Sequence, residues 1–213
     1  MMTMKQLNLL FAFILFSVLA HAQYKPQVEF GAKAGLAFPT FQFAEGGNPK
    51  TYVSGFIGGF VDLPIAQYLS IQPGVTLSGK GYNDKYFESE TDFGQLKTRL
   101  LVVDIPIHLV GKMLIGEDQL HFGVGPYIGF NVAGKQKFEG QGNRYPEGTI
   151  DFEFNKKDFK RQDYGISLMA NYKFDNGMLV NMGYGLGLAN LYGSEVDNKV
   201  KNRVLSLGVG IQL

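Results

Sequence analysis

The sequence predicts an all-β fold: an eight-stranded antiparallel up-and-down barrel that crosses a membrane with its strands. Three observations carry the expectation. Apolar side chains alternate with polar or glycine residues along eight segments of roughly 9–11 residues or more, the span of a tilted transmembrane strand. The connections between these segments alternate long and short along the chain. An N-terminal stretch reads as an export signal.

That stretch is residues 1–22. Lys5 supplies the positive start, Leu7 to Ala20 is an apolar run, and Ala20-His21-Ala22 has the small-x-small pattern of a cleavage site. Residues 23–213 then form one barrel domain of about 190 residues. The chain has no cysteine, which excludes disulfides, thiol catalysis and thiolate metal ligation. Its formal net charge of +1 argues against a nucleic-acid partner. Beyond the signal no stretch is long and apolar enough for a spanning helix, so a crossing must use strands.

The first strand is expected over Gln27 to Phe38, with Val28, Phe30, Ala32, Ala34, Leu36 and Phe38 on the lipid side and Pro39 ending it. A loop with Gly46-Gly47-Asn48-Pro49 follows. The second, Tyr52 to Leu63, leaves its facing open, because Phe56 and Phe60 compete with Ile57 and Val61; Pro64 closes it. In the third, Tyr68 to Tyr82, Leu69, Ile71, Val75 and Leu77 alternate with Ser70, Gln72, Thr76 and Ser78. Pro73 removes a ladder donor there, which predicts a bulge or a locally broken bond. Asn83 to Leu96 reads as a polar loop carrying Glu88, Glu90 and Asp92.

The central hairpin comes next, Thr98 to Lys112 and Asp118 to Asn131, joined by the five residues Met113 to Glu117. Leu101, Val103, Ile105, Ile107 and Leu109 share one face, as do Leu120, Phe122, Val124, Ile128 and Phe130. The longest loop, Val132 to Arg161, holds a segment from Ile150 to Phe154 that extends a hairpin beyond the membrane. Gln162 to Phe174 and Met178 to Asn190 are paired across Asp175-Asn176-Gly177, a three-residue turn with glycine at the left-handed position. Phe174 then faces Met178, which keeps both apolar faces on one side. The last strand is Asn202 to Leu213. With eight strands and long loops after the odd ones, both termini are expected in the periplasm.

Phe30-Gly31-Ala32-Lys33-Ala34-Gly35-Leu36, Ser70-Ile71-Gln72-Pro73-Gly74, Asp104-Ile105-Pro106, Gly125-Pro126-Tyr127 and the run Tyr184 to Leu191 resemble the PorT-like outer-membrane β-barrel family of Bacteroidota. The resemblance spans the mature chain and implies a small barrel in the cell outer membrane, inserted by the barrel-assembly machinery. The family's namesake takes part in type IX secretion, so an accessory secretion role is the alternative it implies. The last residue, Leu213, departs from the aromatic that commonly ends such barrels, although Val209, Ile211 and Leu213 keep the apolar period.

Candidate site residues are lumen-facing: Glu29, Lys33, Asp104, His108 and His121, with Lys80, Asn171 and Lys173 on the same side. Pairing Lys112 with Glu117 across a five-residue turn sets His108 directly opposite His121. Two imidazoles near Asp104 could hold a metal or shuttle a proton; the alternative is a hydrogen-bonded pair. No third ligand converges, so neither a metal nor a cofactor is expected. An eight-stranded interior is filled by side chains, so these charges are expected to plug rather than conduct. Tyr52, Tyr68, Tyr82, Phe130, Tyr164 and Tyr192 read as an aromatic girdle at headgroup level. The loops carry no histidine, which removes the usual general base from the outer face and favours a non-enzyme. The expected function is structural or a surface interaction through the loops, with outer-membrane lipid and surface or secretion partners as contacts.

Overall fold

The computed structural model describes residues 27–43, 50–87, 93–141, 148–151, 160–191 and 200–213. The 1–22 signal, the Gly46 to Pro49 loop, Glu88, Glu90, Asp92, Phe152, Phe154 and Tyr192 lie outside the described residues. The strands are β1 (Glu29–Phe43), β2 (Lys50–Thr51), β3 (Ser54–Ala66), β4 (Leu69–Phe87), β5 (Phe93–Ile115), β6 (Asp118–Gln141), β7 (Gly148–Asp151), β8 (Gln162–Lys173), β9 (Met178–Gly187) and β10 (Val200–Gln212). Eight of them close a ring in the order β1-β3-β4-β5-β6-β8-β9-β10, each pairing antiparallel with its neighbours. The seam between β10 and β1 runs from Gly31 with Gln212 to Phe43 with Val200. It is fastened at the chain's end by Phe30 N–H to Leu213 O (2.8 Å) and Leu213 N–H to Phe30 O (2.9 Å). Closure leaves no sheet edge unpaired at the level of the ring.

Alternation sorts the side chains. Outward positions form an uncovered apolar belt that includes Phe30, Ile57, Val75, Ile107, Phe122, Ile166, Val180 and Val209, all exposed. Inward positions are mostly glycine, small or polar, with a minority of large buried side chains such as Phe56, Phe60, Tyr127, Met169 and Leu179. The open facing of β3 resolves here: Ile57 is 62% exposed, while Phe56 (8%) and Phe60 (6%) point into the lumen. Asp62, fully buried two residues on, shares their side, as a carboxylate must if the other side meets hydrocarbon.

Several boundaries differ from expectation. Pro39 does not end β1, which continues to Phe43 against β10. Its carbonyl accepts Tyr52 N–H (3.4 Å), so the missing proline N–H faces the same side, where the β1–β3 ladder has stopped at Ala37 and Ser54. β3 likewise passes Pro64, absorbing it with a register shift before Ala66. Beside Pro73 the β3–β4 pairing lapses between Phe60–Gly74 and Leu63–Ile71 and resumes in the same register, a local break of the kind expected. The Asn83 to Leu96 segment is not simply a loop. β4 and β5 continue as a paired arm to Phe87 and Phe93.

β6 follows β5 into this arm, with a bulge at Leu101/Val102 that leaves Val132 as the extra residue. From Leu101 to Phe93 the arm rises eight residues, about 26 Å, beyond the ring. β6 has left β8 at Phe130–Gln162, so its free edge takes β7, Lys135 pairing with Asp151.

Short turns gather at the opposite end. Asp175-Asn176-Gly177 is the three-residue turn expected, with Gly177 at φ 84° and Phe174 N–H bonded to Met178 O (2.8 Å). The central hairpin is tighter than expected. Ile115 pairs with Asp118, the turn is only Gly116-Glu117, and Gly116 takes φ 65°, where a side chain is disfavoured.

Candidate functional site

The tighter turn slides the central hairpin by four residues, and the expected His108–His121 pair does not form. Lys112, not His108, stands opposite His121, while His108 lies level with Gly125. The two histidines are therefore about 13 Å apart along the strand direction, four residues of rise. No three His, Asp or Glu residues converge as a metal site among the described residues.

The lumen fills in tiers. At the short-turn end Asp62 accepts from Ser70 Oγ (2.6 Å) and Gln72 Nε2 (3.3 Å) and pairs with Lys112. Glu29 receives Lys173 Nζ (2.7 Å) and Gln212 Nε2 (2.6 Å). Glu29 and Asp62 are register partners, so two like charges lie side by side and the two lysines offset them. His121 Nε2 bonds Gln119 Oε1 (2.9 Å), and Asn181 donates to Asn171 (2.8 Å).

In the middle tier His108 Nε2 meets Ser167 Oγ at 3.0 Å, reaching across β6 to β8. Gly125 stands between them. A Cβ there would overlap the Ile107 carbonyl oxygen and sit 2.9 Å from His108 Cα, so only glycine lets the imidazole cross. Lys33 Nζ lies 5.9 Å from the Phe60 ring, and among the described residues no carboxylate is within ion-pair distance of it. An internal cavity of about 100 Å³ separates it from the next tier.

That tier centres on Lys80, held by Asp104 (2.9 Å) and Asp163 (3.6 Å), with its ammonium 5.4 Å from the Tyr127 ring. Asp104 also accepts from Ser78 (3.3 Å), and Asp163 from Tyr127 OH (3.0 Å) and Asn202 (3.3 Å). Gly129 lies between the two aspartates in register, and a Cβ there would come 2.5 Å from Asp104 Oδ1. Above it Phe41, Tyr82, Leu100, Val102, Leu191 and Val200 close the lumen with an apolar cap. Tyr82, expected in the girdle, belongs to this cap at 2% exposure, edge-on to Phe41 at 5.2 Å. Tyr68 and Tyr164 do face outward, and Tyr52 lies under the Arg99 guanidinium at 3.7 Å.

Four lysines (Lys33, Lys80, Lys112, Lys173) and four carboxylates (Glu29, Asp62, Asp104, Asp163) thus share the described lumen with no net charge. Asp62, Lys112, Tyr127 and Asp163 were not singled out from sequence as site residues. A charge at lumen parity was the available signal for three of them.

Comparison with known proteins places the fold. No curated protein matches the chain in sequence. Among solved structures it is similar to OprG of Pseudomonas aeruginosa (13% identity, TM-score 0.47, covering 88% of this chain and 97% of that one). It is similar also to Ail of Yersinia pestis (14%, 0.44, 88% and 99%) and to the neisserial surface protein NspA (10%, 0.44, 85% and 96%). The model of one family, described as the outer membrane protein beta-barrel domain, matches residues 21–193. The chain belongs to that family, and the membrane its apolar belt faces is the outer membrane.

Proposed function

We propose that this is a non-conducting, non-enzymatic barrel, delivered to the outer membrane by the assembly machinery, that serves envelope structure or surface interaction through its β4–β5–β6 arm. The observation that carries the reading is the filled lumen. Among the described residues, paired charges at both levels and an apolar cap above them occupy the lumen, which supports a closed interior and agrees with the size of an eight-stranded ring. The orientation follows from the asymmetry of the two ends. Short turns lie periplasmic and long loops outside in this class, which supports an arm outside and both termini in the periplasm.

Single cysteines test this, since the chain has none of its own. Lys137→Cys on the arm should react with a membrane-impermeant maleimide in intact cells, and Asn176→Cys only after the outer membrane is permeabilised. The same purified barrel should give no discrete steps in a planar bilayer. Reversed labelling, or steps of uniform size, would contradict the proposal.

A further inference from the structure

On the outer wall two hollows lie one above the other on the β8–β9 strand pair. The upper, about 360 Å³, sits where β8 begins and β9 has just ended, and is lined by Lys160, Arg161, Gln162, Tyr164 and Asn190. Two cations, the Gln162 amide and an outward tyrosine (58% exposed) suit a phosphorylated, hydroxyl-bearing group, while the Asn190 side-chain oxygen already accepts Val200 N–H (3.0 Å). Tyr164 is also where the apolar belt begins, with Ile166 and Leu168 below it on the same face. The hollow is therefore at the polar boundary of the bilayer.

The lower hollow, about 460 Å³, has an origin that can be read from register. Ala170 pairs with Phe122 on one side and Met182 on the other, so one small residue stands between two long ones. The notch it leaves is walled by Phe122, Leu168, Met182 and Tyr184 and is almost wholly apolar. Leu168 is four residues, about 13 Å, along the strand from Tyr164, at the depth of lipid chains.

We propose that this face is a binding site for a phosphorylated membrane lipid, its headgroup in the Lys160–Arg161–Tyr164 hollow and one acyl chain in the Ala170 notch. The inference rests on the outer-membrane location and does not depend on what the arm does. A cationic hollow at headgroup level directly above an apolar groove matches an anionic lipid in both charge and depth, and a soluble anion would have no use for the notch.

The test is native mass spectrometry of the barrel released from phosphatidylcholine nanodiscs that carry a minority of bisphosphorylated lipid A, or the same lipid stripped of phosphate. Wild type should retain one phosphorylated lipid. Lys160→Gln with Arg161→Gln should weaken retention about 30-fold. Ala170→Leu, which fills the notch without touching a charge, should weaken it several-fold, and Lys97→Gln on the arm should change nothing. A heat-shifted gel band identifies the variants that fold. Equal retention of the phosphate-free lipid, or undiminished retention in both site variants, would overturn the proposal. Displacement by millimolar inorganic phosphate with no effect of Ala170→Leu would overturn it also, in favour of a free-phosphate site.

Discussion

Gly125 shows how much of this fold is decided by single residues. Facing inward between His108 and Ser167, it holds a place that a methyl group would take from the Ile107 carbonyl. Gly125→Ala should therefore cost about 3 kcal/mol, the upper end of overpacking penalties, by urea unfolding in detergent. Gly55→Ala, whose Cβ would come no closer than 3.7 Å to its nearest neighbour, should be near neutral. Equal effects would mean that the tight row at His108 is not formed. At this scale the sequence was legible in facing and not in partners. Slipping a hairpin by an even number of residues leaves every side chain on its own side, so alternation could not tell His121 opposite His108 from His121 opposite Lys112. The discriminating signal was Gly116, which can take the left-handed conformation that a two-residue turn needs.

Among the elements, the arm is where expectation and structure differ most. Hydropathy falls at Val132 because the chain leaves hydrocarbon, yet the hydrogen-bonded ladder does not stop there. A polar stretch read as loop was strand for that reason. The arm is knitted by ion pairs in water: Glu139 accepts from Lys137 (2.8 Å) and from Lys97 across the β5–β6 pair. Hydrogen bonds from these two ammonium groups hold its carboxyl at about 2, below its ordinary 4.5. A depressed carboxylate stabilises above its unfolded value and loses that contribution as pH falls through the folded one. The arm should therefore be indifferent to pH between 7 and 5 and loosen only from about 4.5 toward 2. Carbon-detected titration of Glu139 checks this, and Lys97→Ala with Lys137→Ala should return its midpoint to the ordinary range. A wild-type midpoint near 4.5 would mean that Glu139 is not ion-paired in solution.

For the whole molecule, the eight-strand count, the outward belt and the polar interior were legible because a membrane imposes them on every strand at once. The pairing of charges inside the lumen was not. Which carboxylate meets which lysine is set across strands far apart in sequence, as Glu29 meets Lys173. The barrel requires that the ring close between its first and last strands. Leu36 and Leu207 are partners across that seam, and paired Cα atoms lie about 4.5–5.5 Å apart, within disulfide reach. In the cysteine-free chain, Leu36→Cys with Leu207→Cys should oxidise to a closed species that keeps a compact mobility after boiling and loses it on reduction. Leu36→Cys with Ile211→Cys, four residues out of register, should stay open. Failure of the first pair to link, or equal linking of both, would contradict the closed barrel.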